Sequence, residues 1–146
     1  MKNLRRDIAE LRRNVYMCGH RDHGDWHFET TGAISEHAGR EHSKEMQSLV
    51  KNKQESPPTE PREPKDDKNT FAVMKFKMQL NRHHDKLDKH NEHKAKVFVV
   101  VKGQCSLTMK NKIESMTECK DWEKNDDMTE LLNGLKEVSF STADVQ

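Results

Sequence analysis

The chain has 146 residues, of which 32% are hydrophobic and 35% are charged, and its formal net charge is +1. This length suits one domain, and a hydrophobic share below the roughly 45–50% of average globular domains predicts a small core with part of the chain outside it. The balanced charge excludes a global electrostatic attraction to nucleic acid or anionic lipid, so polyanion binding requires a local patch.

The cysteines and the N-terminus predict a cytoplasmic protein in a reducing compartment. Cys18, Cys105 and Cys119 contain no CxxC pair, and an odd number of thiols is not a disulfide framework. The first residues are too charged for a secretory signal peptide, and no apolar run approaches the ~20 residues that span a bilayer. We therefore expect no membrane partner.

The first predicted element is an amphipathic helix over residues 2–17. Its apolar residues have helical spacing and are Leu4, Ile8, Leu11 and Val15. The residues that flank them are the arginines Arg5, Arg6, Arg12 and Arg13. One interpretation is a docked helix with solvated arginines, and the other is a basic arm whose arginines contact RNA. Asp7 and Glu10 dilute the positive charge, which favours the first interpretation.

Glycines and prolines predict how the first half of the chain is divided. Gly19 and Gly24 end the first helix, and a second helix is predicted from Phe28 to about Val50. Every proline lies within residues 52–69, which lack apolar anchors and so predict an extended or disordered linker. We expect an N-terminal helical arm over 1–51, the linker over 52–69 and a helical domain over 70–146.

Residues 70–95 have the spacing of one long helix with a solvated, charged second half, although alternation leaves a strand open for the first few residues. The residues that follow at intervals of four are Val97, Val101, Cys105, Met109 and Ile113. This spacing predicts one helical face, while the strand propensity of "VFVVV" favours the opposite.

The segment 103–106, here called the Gly-Gln-Cys junction, is interpreted as a tight turn between two helices. Gly103 is expected after the end of the first helix in the left-handed conformation, and Ser106 as the N-cap of a helix over 107–117. The last predicted helix has helical spacing and includes Met128, Leu131, Leu132, Leu135 and Val138. Asp126 or Asp127 is its expected cap.

The same junction invites a thiol-enzyme hypothesis, in which Gln104 assists an oxyanion hole and one of nine histidines acts as base for Cys105. No histidine lies in a known partner motif, and Cys105 belongs to the apolar series, where a free cysteine behaves as a small hydrophobe. The sequence also has no phosphate-binding glycine loop, HExxH or GxSxG motif. We therefore expect no catalytic residue and no enzyme.

Two histidine groups raise the question of a metal. The first group, with one cysteine, is Cys18, His20, His23 and His27, and the second is His83, His84, His90 and His93. A closed zinc site pairs ligands in each half, and Cys18 has no neighbouring thiol. Surface histidines are the preferred interpretation, so no metal and no cofactor are expected. A His/Cys-rich metal- or nucleic-acid-binding module remains the alternative.

Three segments of the sequence are informative because of the order in which they occur. Residues 29–42 read "ETTGAISEHAGREH", a proline-rich gap follows, residues 94–115 read "KAKVFVVVKGQCSLTMKNKIES" and residues 121–142 read "DWEKNDDMTELLNGLKEVSFST". Together they resemble the Gag-like, capsid-type region of copia-type LTR retrotransposon polyproteins. His37 and His42 stand where that family places tyrosines. The chain also stops at Gln146, where the family continues, so we expect a truncated or decayed copy.

The resemblance implies a small all-α bundle and a structural role. Its assembly and core motif corresponds here to Gly103, Gln104, Cys105, Lys112, Trp122, Leu131, Leu132 and Leu135. It implies a Gag-like protein that forms homo-oligomers and packages RNA, without a small-molecule substrate. In that family the Gly-Gln-Cys segment connects two helices.

Overall fold

The computed structural model describes residues 8–17 and 23–141. Over these residues the chain forms six α-helices, one short 3₁₀ turn and no β-strand. The elements are the 3₁₀ turn Ala9–Leu11, α1 His23–Glu41, α2 Lys44–Asn52, α3 Thr70–Gly103, α4 Leu107–Glu114, α5 Cys119–Asn125 and α6 Met128–Ser141. The prediction of a small all-α bundle is confirmed for this part of the chain.

Helix α6 lies at the centre of the bundle and packs against α1, α2, α4 and α5. Leu131, Leu132 and Leu135 on its inner face are at most 1% exposed. Burying one such side chain contributes about 1.5–3 kcal/mol relative to leaving it in water. The buried residues form one cluster that includes side chains from both sides of 52–69. The predicted helical segments 1–51 and 70–146 thus contribute to one core. The division of the chain into three segments stays a prediction.

The helix predicted over residues 2–17 is not formed over 8–17, and residues 1–7 lie outside the described part. After the 3₁₀ turn the chain reaches Tyr16, which forms a parallel bridge with Cys105. The backbone N–H of Tyr16 donates to the Gln104 carbonyl at 2.7 Å, and the N–H of Ser106 donates to the Tyr16 carbonyl at 2.9 Å. These long-range hydrogen bonds replace the local ones that a helix needs.

The single helix predicted from Phe28 to Val50 is two helices, α1 and α2, that pack against each other. Ser43 has an extended backbone, and its side chain accepts a hydrogen bond from the Met46 N–H at 3.2 Å. This N-cap starts α2 in a new direction. The predicted periodicity is correct on both sides, and the capping serine between them divides the predicted helix in two.

Helix α3 confirms the predicted long helix, and its 34 residues correspond to about 51 Å. None of residues 70–89 is buried, whereas five of residues 90–103 are. The second half of 70–95 is solvated as predicted up to residue 89, but the first half is solvated as well. About 30 Å of helix therefore extends past the core. Residues 53–69 form neither helix nor strand.

The helix ends around the Gly-Gln-Cys junction differ in one respect from the prediction. Gly103 is the last residue of α3, and Gln104 is its C-cap at φ −84°, so the expected left-handed Gly103 after the helix is wrong. Ser106 accepts from the Met109 N–H at 3.1 Å, which confirms the predicted N-cap of α4. Asp127 accepts from the Glu130 N–H at 3.2 Å, as expected for the cap of α6.

Two glycines in helices have opposite surroundings. A Cβ atom added to Gly134 would lie 2.7 Å and 2.9 Å from two ring carbons of Trp122, while one added to Gly32 would meet nothing within 4 Å. Trp122 is only 8% exposed, so its ring cannot move without disturbing the core. The close approach of α6 to α5 therefore requires glycine at 134.

We predict that Gly32→Ala raises the free energy of unfolding by about 0.5–1 kcal/mol, because alanine loses less backbone entropy in a helix. Gly134→Ala should lower it by about 1 kcal/mol, because overpacking against Trp122 outweighs the same helix gain. Urea unfolding of both variants measures the difference. A Gly134→Ala variant more stable than the parent protein would contradict the packing described.

Candidate functional site

The side chain of Gln104 links the junction to the N-terminal segment. It is fully buried, and its Nε2 donates to the carbonyl oxygens of Leu11 and Asn14, both at 2.6 Å. Two carbonyls can only be satisfied by a donor, so the amide nitrogen must face them. The junction therefore holds residues 11–16 in place through both its backbone and this side chain.

Tyr16 extends this connection to α1. Its ring is 1% exposed, and its hydroxyl lies 2.7 Å from the Thr31 Oγ1 atom. Burial raises the pKa of Tyr16 well above its ordinary value. The phenol consequently stays protonated and serves as a structural hydrogen-bonding group between the N-terminal segment and α1.

Cys105 lies inside the bundle rather than at a surface. Its side chain is 2% exposed, and its Sγ donates a weak hydrogen bond to the Val101 carbonyl at 3.6 Å. Reactive thiols lie in partly exposed, electropositive surroundings, whereas buried thiols are inert. Cys119 is buried too, and desolvation raises its pKa. Both positions suit packing.

The predicted assembly residues divide into buried and exposed ones. The buried members, all within the bundle, are Gly103, Gln104, Cys105, Trp122, Leu131, Leu132 and Leu135. Lys112 is exposed on α4. As a group they determine how α3 to α6 pack, and only Lys112 is available at the surface.

Only part of the alternative metal-binding group lies within the described residues. Cys18, His20 and the side chain of His23 lie outside the described residues. His27 is 4% exposed and packs against the Tyr16 ring, with ring centroids 5.2 Å apart. In the described part of the chain, no three or more of the His, Cys, Asp and Glu residues form a group that could hold a metal ion.

Only two of the four arginines that were proposed to contact RNA lie within the described residues. Arg5 and Arg6 lie outside the described residues, while Arg12 and Arg13 are exposed just after the 3₁₀ turn. Close to them, Glu10 pairs with His37 and Arg40 of α1. The hydrogen bond from His37 is the main reason that the pKa of Glu10 is lowered. These pairs attach the segment to α1.

A groove lies between the proline-rich segment and the solvated part of α3, with a volume of about 880 Å³. We call it the basic groove. Its side chains on α3 are Gln79, Arg82, His83, Lys86, Lys89, His90 and His93. The opposite side is formed by Ser43, Glu45 and residues 56–61. This groove brings together charged groups from distant parts of the sequence.

Glu55 fixes the start of the proline-rich segment to α3. Its Oε1 accepts from Lys94 Nζ at 2.8 Å and lies 3.2 Å from His90 Nε2. The hydrogen bond from Lys94 is the largest cause of the lowered pKa of Glu55, which therefore stays ionised. One end of the groove is thus defined by a charged contact.

The cations of the groove share one face of α3. Arg82, Lys86 and Lys89 follow at intervals of four and three residues, which places them on one side of a helix. All three are exposed, and none forms an ion pair within residues 8–17 and 23–141. The histidines of this region are among the residues singled out from the sequence, whereas these cations are not, although their spacing is the available signal.

Comparison of the chain with protein-family models, with curated proteins and with solved structures found no match. Over the residues that the structure covers, no helix has both the length and the apolar character needed to cross a membrane.

The buried imidazole of His27 makes stability depend on pH. Burial lowers its pKa from 6.5 to about 4, and Lys53 and Lys136 add to the effect. Above pH 6.5 the ring is neutral in both states; as pH falls, the unfolded chain gains a proton that the folded chain does not. We predict that this residue costs roughly 2 kcal/mol of stability between pH 7 and pH 5.

The variant His27→Phe should show a smaller loss of stability between these two pH values in urea unfolding, because phenylalanine does not titrate. His84→Phe, which changes an exposed histidine, is the matched control and should keep the parent's pH dependence. Equal pH dependence in His27→Phe and the parent protein would show that His27 is not buried as described.

Proposed function

We propose that the chain is a non-enzymatic, Gag-like structural protein of the cytoplasm that self-associates through α3 and carries RNA. The sequence resemblance supports the class of protein. The observation that carries the proposal is an unpartnered row of large apolar side chains on the part of α3 that extends past the core. We call this row the apolar stripe; its members are Phe71, Met74 and Met78.

The apolar stripe has the properties of a contact surface. Phe71 is 76% exposed, Met74 61% and Met78 55%, and their spacing places them along one side of the helix. Contiguous apolar side chains in water are costly and mark interaction sites. Methionine adapts its shape to a partner, which suits repeated contacts.

A second copy of the chain is the occupant that we propose for this stripe. A formal net charge of +1 produces little repulsion between copies, and near-zero net charge promotes association. Many weak contacts of this kind become strong when they are multiplied in an oligomer. The stripe is therefore suited to assembly rather than to tight one-to-one binding.

The junction supports the non-catalytic part of the proposal. The Gln104 amide is used to hold two backbone carbonyls, and the Cys105 sulfur is buried. Neither group is placed to stabilise an oxyanion or attack a substrate, since both functions require access from outside.

We predict that the triple variant Phe71→Gln, Met74→Gln, Met78→Gln weakens self-association, because it removes the apolar area that a second copy would cover. Sedimentation velocity over rising protein concentration measures the effect. The parent protein should shift to larger species, and the triple variant should remain monomeric at concentrations where the parent does not.

The matched control is Val99→Gln, Leu107→Gln, which changes large apolar residues that are 49% and 74% exposed elsewhere on the surface. It should associate like the parent protein. A parent protein that stays monomeric at every concentration, or a control that loses association as fully as the triple variant, would refute assembly through the apolar stripe.

A further inference from the structure

We propose that the basic groove binds the phosphodiester backbone of single-stranded RNA. The inference rests on the proposed function, which supplies RNA as the cargo, and it places the contact on α3 instead of the N-terminal arginines. Three features of the groove carry it: its cations, its imidazoles and its proline wall.

The cations provide the electrostatic part of the site. Arg82, Lys86 and Lys89 cover about 10 Å of helix, at a rise of 1.5 Å per residue, and all are exposed. Glu45 and Glu60 are the carboxylates that line the groove among the described residues. Both carboxylates lie on the side opposite α3, whereas the α3 lining contains the three cations and no carboxylate. The α3 side of the groove is therefore positive, although the whole chain is almost neutral. Phosphate contacts of this kind supply most of the affinity for a nucleic acid strand.

The imidazoles provide ring surfaces for bases. His83 and His93 line the groove beside the cations, and single-stranded RNA is recognised by stacking of unpaired bases on aromatic rings, including histidine.

The proline-rich segment forms a wall opposite the cations. Pro57, Pro58 and Pro61 line the groove. Ser56 just before them and Thr59 between them carry hydroxyls of the kind that contact phosphate and sugar oxygens. Prolines restrict the backbone, so the wall loses little conformational entropy when a ligand binds. Glu55 anchors its start to α3. The groove is consequently formed before a strand enters it.

The test is fluorescence anisotropy of a labelled oligouridine with the full chain, measured over a series of salt concentrations. The variant Arg82→Gln, Lys86→Gln, Lys89→Gln removes three phosphate contacts. For single strands each contact contributes about 0.7 to the slope of log affinity against log salt, so the slope should fall by about 2. At physiological salt the affinity should fall about 50-fold.

The control is Lys51→Gln, Lys120→Gln, Lys124→Gln, which removes the same number of exposed cations from α2 and α5. It should bind almost like the parent protein, and circular dichroism should show the same helicity in all three proteins. The inference is overturned if the groove variant binds like the parent, if the control loses as much affinity, or if a duplex of equal length binds more tightly than the single strand.

Sedimentation of the same proteins separates this inference from the proposed function. The groove variant should keep its self-association, because the apolar stripe is unchanged, while losing RNA binding. A parent protein that binds oligouridine through the groove but stays monomeric would refute the proposed assembly and leave the groove supported. A protein that assembles but does not bind oligouridine would overturn the groove alone.

Discussion

The buried amide of Gln104 is the interaction on which the arrangement of the chain depends. It lies where α3 ends and α4 is about to begin, and it holds the N-terminal segment by two carbonyl groups. Its backbone carbonyl accepts from the Tyr16 N–H next to it. The amide nitrogen is satisfied by these two carbonyls, while the Oε1 atom of the same side chain is buried without a hydrogen-bond partner in the described part of the chain. Because a buried carbonyl left without a donor is costly, the contacts of the nitrogen fix one relative placement of these segments.

The hydrogen bonds of Gln104 hold the N-terminal segment against the core, and other parts of the molecule stay exposed. The motifs that resemble the Gag-like family lie in the junction, α5 and α6, where most of their residues form the core. Cys105 and Trp122 are buried for this reason. The two surfaces proposed for partners both lie on the solvated part of α3. It carries the apolar stripe near its start and the cations of the basic groove further along, so assembly and RNA binding would use neighbouring stretches of one helix.

Local signals in the sequence predicted much of the fold. The intervals of four from Val97 to Ile113 gave the buried face, and Ser106 and Asp127 were recognisable caps because capping depends on residues only three positions apart. Residues 8–17 are an exception. They have helical spacing, but the hydrogen bonds between Tyr16 and the distant Gly-Gln-Cys junction outweigh it. Ser43 is a further local signal, and it divides the single helix that periodicity predicts.

The candidate sites were harder to predict for the same reason. The role of Gln104 depends on carbonyls that are distant in sequence, and no pattern around it indicates them. The cations of α3 were visible by their spacing, yet the groove also requires the proline-rich segment, whose start is held against α3 by Glu55. Sequence spacing describes one helix face well, but it does not say what lies opposite.

The central role of this amide is tested most directly by measuring the free energies of unfolding of two variants, Gln104→Leu and Gln79→Leu. Leucine has a similar size, so the change removes two hydrogen bonds from buried or half-buried carbonyls without leaving a large cavity. We predict a loss of about 2 kcal/mol for Gln104→Leu. The exposed Gln79→Leu should stay within about 0.5 kcal/mol of the parent protein. Equal stability of the two variants would contradict the structural role assigned to Gln104.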